Sequence, residues 1–221
     1  MYKAEILADS VASGVRLTTT LVVFPRIVLA EFNTHRVFSR NSASSRAIPV
    51  EKNIARVRAN PFVPAAFEAN KKGMQGGEAL NEYDQELARR RWLDAANDAC
   101  AHAEILKDRG VHKHWANRLL EPFGWHTCIV TATEWANFFA LRCNPQAAPE
   151  IRTIAEMMRD AMAASKPTEK LSGDWHLPLI FDADWGPPTG NFETLIKLSV
   201  ARCARVSYLT HDGKRDVDAD I

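Results

Sequence analysis

From residue 15 to residue 24 the chain sets Val15, Leu17, Thr19, Leu21 and Val23 against Arg16, Thr18, Thr20 and Val22. That period of two predicts a strand with one better-buried face. Residues 2–8 read as a second strand, and the β-branched run at 126–133 as a core strand. Pro25 suits the first turn of a helix running to about residue 36, where its missing N–H is an orphan anyway. Leu80, Tyr83, Leu87, Ala95, Ala99, Ala103 and Leu106 share a stripe, so residues 78–107 are predicted to form a long helix with Gly110 as its stop. Further helices are expected at 111–121, ending at Pro122, at 134–141, from Pro149 with Ile151, Ile154, Met158 and Met162 on one face, and at 192–206 ahead of a charged tail.

Between these elements lie a hydroxyl-rich loop at 39–45, a short extended stretch at 175–181, and residues 47–79. The last carry Pro49, Pro61, Pro64, Gly73, Gly76 and Gly77 and read as a long irregular, lid-like excursion. Strands separated by long helices, without regular βαβ alternation, predict an α+β fold. The sheet is expected to be mixed or antiparallel with long flanking helices, and residues 1–221 a single domain.

Charge narrows the partners. Lys+Arg 28 against Asp+Glu 27 gives a net charge of +1, so no duplex nucleic acid partner is expected. The best apolar run, residues 21–30, contains Pro25 and Arg26 and falls short of the roughly 18–20 residues of a bilayer span, so no membrane partner is expected either. Cys100, Cys128, Cys143 and Cys203 form no CxxC pair, and a reducing cytoplasm is the expected location.

The densest chemistry lies at 34–46, where three arginines, His35 and several hydroxyls fall within thirteen residues. Arginine forks match phosphate oxygens, and serine or asparagine side chains with loop amides complete such a cradle. The alternative is a solvated basic loop whose His35 and Arg36 cap the preceding helix. A second constellation runs from Thr131 to Arg142. Asn137 offers a donor and an acceptor to the edge of a heterocycle, and Arg142 can polarise a carbonyl. Its alternative is a core helix with solvated polar residues. His112, His114 and His126 lack partners at metal-ligand spacing, so no metal is expected. Asp182 and Asp184, and Asp216, Asp218 and Asp220, read as solvated acidic turns. No GxSxG, GxGxxG or P-loop pattern occurs, and Ser44 has no evident general base.

His35-Arg36, seven residues, then Ser44 and Arg46 resemble the signature of the flavin-dependent thymidylate synthases. RLTTTLVVFPRIVLAEF before it resembles that family's lead-in. NRLLEPF with TATEWANFFALR resembles its second substrate block, and AAPEIR and the phage-type GDWHLPLI extend the likeness over most of the chain. The resemblance implies a thymidylate synthase-complementing-protein-like fold and reductive methylation of dUMP to dTMP. It brings FAD as cofactor, with NADPH and methylenetetrahydrofolate as co-substrates, and a homotetramer with shared active sites in the cytoplasm, a host's if the source is viral. It places Glu31, Ser42, Ser44, Arg46, Arg118 and Arg142 at the nucleotide, with Arg46 and Arg118 on its phosphate and Arg142 as the catalytic arginine that stabilises charge on the ring. Thr34, His35, Arg36, Ser42, Thr131 and Asn137 fall at FAD.

The chain departs from that pattern. Thr34 stands for an arginine, Ser42 for an acid, Ala47 for a tyrosine, Glu31 for a glutamine, Thr131 for an asparagine and Gln146 for a histidine. A carboxylate at Glu31 accepts from an exocyclic amine, which cytosine has and uracil lacks, so a dCMP methylase or hydroxymethylase is an alternative, as is a non-catalytic nucleotide-binding relative. Residues 199–208 resemble the segment that usually opens the family's chain, as in a circular permutation, and the natural protein is expected to continue past Ile221.

Overall fold

The computed structural model describes residues 1–186 and 191–208. The charged tail and its Asp216, Asp218 and Asp220 lie outside the described residues. The first two strands, β1 (Lys3–Ala12) and β2 (Val15–Pro25), form an antiparallel hairpin whose ends pair Ala12 with Val15. The two residues between them, Ser13 (φ 49°) and Gly14 (φ 77°), are both left-handed, which is what a two-residue hairpin turn needs to match strand twist. β3 (Ser39–Ser42) and β4 (Trp125–Ala132) extend the sheet, and β5 (Thr168–Glu169) adds a short parallel edge against β1. The order is β3-β4-β2-β1-β5, a five-stranded mixed sheet.

One sheet face holds Val22, Phe24, Cys128 and Val130, and α6 (Pro149–Ala164) buries Ile151, Ile154, Ala155 and Met158 against it. The 3.6-residue spacing of those side chains makes a single stripe, and Pro149 starts the helix where its N–H would be unpaired. A second apolar cluster joins α2 (Val50–Ala59) and α3 (Glu82–Asp108) to the residues just before β4, through Ile54, Val57, Cys100, Ala103, Leu120 and Phe123.

Several boundaries differ from the expectation. The helix after Pro25 is a 3-10 turn (Arg26–Val28) followed by α1 (Leu29–Phe32), and it stops four residues short of residue 36. Arg40 closes it, donating from Nη1 to the carbonyls of Phe32 (3.3 Å) and His35 (3.0 Å). The 39–45 loop contains β3, paired to β4 from Ser39↔Thr131 to Ser42↔Cys128. The irregular excursion at 47–79 contains α2, because Val50, Ile54 and Val57 recur at helical spacing after Pro49 and are buried.

α3 starts at Glu82, since the Asn81 side chain accepts from the Asp84 N–H, and it ends as expected at Gly110 (φ 75°). There Val111 N–H reaches Leu106 O and Gly110 N–H reaches Lys107 O, a pairing that satisfies the last helical carbonyls. The expected 111–121 helix is α4 (Lys113–Ala116) and then a 3-10 segment (Asn117–Phe123) that takes in Pro122. α5 (Ala136–Arg142) begins two residues late. Residues 175–181 form no strand; Leu179 turns the chain there at φ 61°. The final helix, α7 (Phe192–Ala204), packs through Leu195 and ends slightly before residue 206. Asp184 is not a solvated acidic turn: Arg202 holds its carboxylate at 2.5 and 2.9 Å. Among the described residues no helix is long and apolar enough to cross a membrane.

Candidate functional site

α1, the turn after it and α5 bring Glu31, His35 and Arg142 together. Arg142 Nε donates to His35 Nε2 at 2.9 Å, and its Nη1 donates to Glu31 Oε1. Arginine has no acceptor, so His35 Nε2 must be the ring's lone-pair nitrogen and the proton sits on Nδ1. Burial, then the charges of Arg142 and Arg40, push the His35 pKa down, which keeps the ring neutral as the hydrogen bond requires. The imidazole is wedged edge-on to Phe138 (4.8 Å) and stacked on Phe38 (5.8 Å). A guanidinium held at two of its three nitrogens against a packed aromatic floor is a rigid donor, and its Nη2 makes no hydrogen bond among the described residues. Such a group suits a developing negative charge.

The other flavin-assigned residues are Thr34, Arg36, Ser42, Thr131 and Asn137. Thr34, Arg36, Ser42 and Asn137 are exposed. Thr34 Oγ1 donates to the Glu31 carbonyl at 2.7 Å, and Ser42 Oγ to Cys128 Sγ at 3.4 Å. Arg36 is not the helix cap allowed for it by the basic-loop alternative, since Arg40 takes that part. Thr131 is committed elsewhere. Its hydroxyl meets Thr19 Oγ1 at 2.7 Å, Thr19 meets His176 Nε2 at 2.8 Å, and His176 Nδ1 meets Ser10 Oγ at 2.8 Å. This chain, Ser10–His176–Thr19–Thr131, pins the 171–181 segment to the sheet, and burial pushes the His176 pKa down. Sequence reading missed it, because a single histidine in an irregular segment carries no spacing signal.

The remaining substrate-assigned residues form a second group. Ser44, Arg46 and Arg118 are exposed; Ser44 N–H donates to Ser207 Oγ at 2.8 Å and Arg46 N–H to Ser44 Oγ at 3.3 Å. Arg46 and Arg118 both lie close enough to His114 to lower its pKa, after desolvation and the neighbouring His112. Two guanidinium groups on exposed segments around one imidazole make a locally basic patch in a chain of net charge +1. Asn117 orders the segment that carries two of these residues, donating from Nδ2 to the carbonyls of Ser45 (2.6 Å) and Ile48 (2.9 Å). Among the described residues no hydrogen bond joins this group to the Arg142 group, and no set of three or more metal-ligating side chains occurs.

His126 is a buried, neutral histidine. Its pKa is lowered to about 3 by burial and by Arg26, whose Nη1 lies 3.0 Å from Nδ1.

Comparison with known proteins gives the family and the fold. The family of the thymidylate synthase complementing protein matches residues 8–168, well over half of the chain, and the chain belongs to that family. Among solved structures it is similar to a UMP/dUMP methylase, PolB, from Streptomyces cacaoi bound with 5-Br UMP. The TM-score is 0.62 at 20% identity, covering 74% of this chain and 89% of that one. A second structure of that methylase, bound with 5-Br dUMP, gives a TM-score of 0.54 at 24% identity, covering 67% of this chain and 66% of that one. At those identities the likeness is one of fold. No curated protein matches the sequence.

Proposed function

We propose that this member of the thymidylate synthase complementing protein family is a flavin-dependent methylase of a pyrimidine nucleoside monophosphate, with dUMP as substrate and dTMP as product. The observation that carries the reading is the Arg142 guanidinium, fixed by neutral His35 and by Glu31 with Nη2 left over. In methylation at C5 the ring gains a carbon there and loses its C5 hydrogen as a proton, and negative charge passes through the ring carbonyls on the way. A fixed cation beside a carbonyl stabilises that charge without reorganising at the moment of reaction.

Arg46 and Arg118 bind the phosphate, where two guanidinium forks supply charge-assisted donors. Glu31 keeps one oxygen on Arg142 and has the other to accept from a ring N–H, which uracil offers at N3. The residues also fit FAD: Arg36 is an exposed cation without an ion pair among the described residues, and Asn137 is an exposed amide on α5. Arg36, Asn137, Thr34 and Ser42 would hold the flavin, while His35 orients Arg142. When bound, reduced flavin supplies the hydride that turns the transferred one-carbon unit into a methyl group, with NADPH as reductant and methylenetetrahydrofolate as carbon donor. The homotetramer belongs to the same proposal: among the described residues no hydrogen bond joins the Arg142 and Arg46 groups, and sites shared between copies would bring such halves together.

Incubating the full chain with FAD, NADPH, methylenetetrahydrofolate and either dUMP or dCMP, with mass spectrometry of the nucleotide, tests the reading. A 5-methyl product from dUMP supports it. A product from dCMP alone makes Glu31 the reader of an exocyclic amine instead, and a hydroxymethyl product makes the enzyme a hydroxymethylase.

A further inference from the structure

We propose that the cavity between α2, the Asn117–Phe123 segment and the ends of β2 and β4 is a second small-molecule site, built for an anion with a planar, hydrogen-bonding body. This inference does not depend on what the Arg142 group binds.

The cavity holds about 510 Å³, within the size of sites that take nucleotide-sized ligands. Its charged rim is Arg26, Arg56 and Glu121, with His126 neutral beside them, which leaves one net positive charge. Arg26 and Glu121 neutralise each other at 3.4 Å, and Glu121 also accepts from Ser45 Oγ at 3.1 Å. Arg56 is the uncompensated charge. It is half-buried, has no ion pair or side-chain hydrogen bond among the described residues, and burial alone pulls its pKa below the usual arginine value. A guanidinium drawn out of water without a carboxylate is costly, and an anion is its natural complement. The exposed Arg58, one residue pair along the same helix, is by contrast clamped on Glu104 at 2.8 Å.

Two lining residues each keep one buried polar atom without a partner among the described residues. Asn117 spends both N–H bonds on the carbonyls of Ser45 and Ile48, which fixes its amide and leaves Oδ1 without a donor. His126 takes the Arg26 N–H at Nδ1, so its proton is on Nε2, and that N–H has no acceptor. Both atoms are buried beneath the cavity surface, and the polar lining that a ligand's body would meet comes from Asn53, Asn60 and Thr127. Val23, Ile48, Val57, Leu120 and Trp125 give the rest of the wall an apolar surface for a flat ring.

Ser45 and Asn117 line the cavity, while their neighbours Ser44, Arg46 and Arg118 are exposed in the basic patch. An occupant that pulls on Asn117 therefore pulls on the segment carrying Ser44 and Arg46, and a ligand here is expected to alter binding at that patch.

Two sources supply this ligand chemistry: a nucleoside monophosphate, through its phosphate, or a folate-type compound, through its carboxylate. Calorimetric titration of the full chain with UMP and with folic acid, in the wild type and in Arg56→Gln, Ala55→Trp and Arg46→Gln, distinguishes them. For at least one probe, Arg56→Gln is expected to weaken a binding event about tenfold or more, the loss of one charge-assisted contact. Ala55→Trp, an exposed helix position that lines the cavity, is expected to block the same event without touching Arg56. Arg46→Gln should leave that event within roughly twofold, and Arg56→Lys should recover part of it. Heat that neither cavity variant changes, or changes equal in Arg56→Gln and Arg46→Gln, overturns the second site. Arg56-dependent binding with no Arg46-dependent event supports it and instead contradicts the nucleotide reading of the patch.

Discussion

Arg142 and His35, 107 residues apart in the chain, are joined by an Nε–H···Nε2 hydrogen bond of 2.9 Å that only a neutral imidazole can accept. The surrounding charges and burial that keep His35 neutral are thus part of what aims the guanidinium. The opposite side of Arg142 is tied to Glu31, so its orientation is set before any ligand arrives.

Replacing Arg142 by glutamine is expected to lower turnover roughly 10²–10³-fold, the usual cost of removing one preorganised donor to a developing charge. Lysine should recover little, because it lacks the planar fork that reaches both His35 and Glu31. Thermal unfolding measured on the same samples separates the roles. The site reading expects a melting temperature within a few degrees of wild type; a parallel collapse of fold and activity would make Arg142 a structural residue.

Arg46→Gln and Arg118→Gln should each weaken dUMP binding about tenfold or more while leaving the weaker binding of deoxyuridine almost unchanged, since the lost contact is to phosphate. Raising the salt concentration should narrow the difference between wild type and variants, because both guanidiniums are exposed. Equal losses for nucleotide and nucleoside would place these arginines elsewhere.

His126 gives the fold a pH dependence. Its pKa falls from the ordinary histidine value to about 3 in the folded chain, so the unfolded chain binds the proton first. Stability from this group is complete above about pH 6.5 and is lost as pH falls from there towards 3, at up to about 1.4 kcal/mol per pH unit. His35 and His176 are shifted the same way and add to the slope. Denaturant unfolding of His126→Asn, whose side-chain oxygen still accepts from Arg26, should show a slope shallower by about one proton. An unchanged slope would mean that His126 is not buried neutral.

Phe138 supports the site from below, packing against Phe32 (5.8 Å), Phe38 (5.0 Å) and His35 (4.8 Å) at 1% exposure. Phe138→Ala is expected to cost about 3–5 kcal/mol, with chemical denaturation as the check. Leucine should cost less and leave His35 looser, so its turnover should fall further than its stability.

Much of this was legible in the chain because period and chemistry agree locally. Alternation at 15–24 gives β2, the Ile151–Met162 stripe gives α6, and Gly110 ends α3 as its position suggests. The errors fall where a long-range partner decides. α1 stops at Phe32 because Arg40, eight residues on, caps its carbonyl. β3 exists because β4 is there to pair with it, since four polar residues carry no strand signal of their own. The helix at 50–59 was hidden by its flanking prolines and glycines, although its apolar spacing was present. Within the site, the residue types around 34–46 and 131–142 were readable. The Arg142–His35 bond and the Ser10–His176–Thr19–Thr131 chain depend on packing that no local pattern encodes.

The most direct measurement is release of tritium from [5-³H]dUMP by the full chain supplied with FAD, NADPH and methylenetetrahydrofolate, run beside Arg142→Gln. Methylation at C5 must expel that hydrogen, so release should match dTMP formation, and both should be nearly abolished in the variant. Nucleotide binding with no release from wild type, or release undiminished in Arg142→Gln, would contradict it.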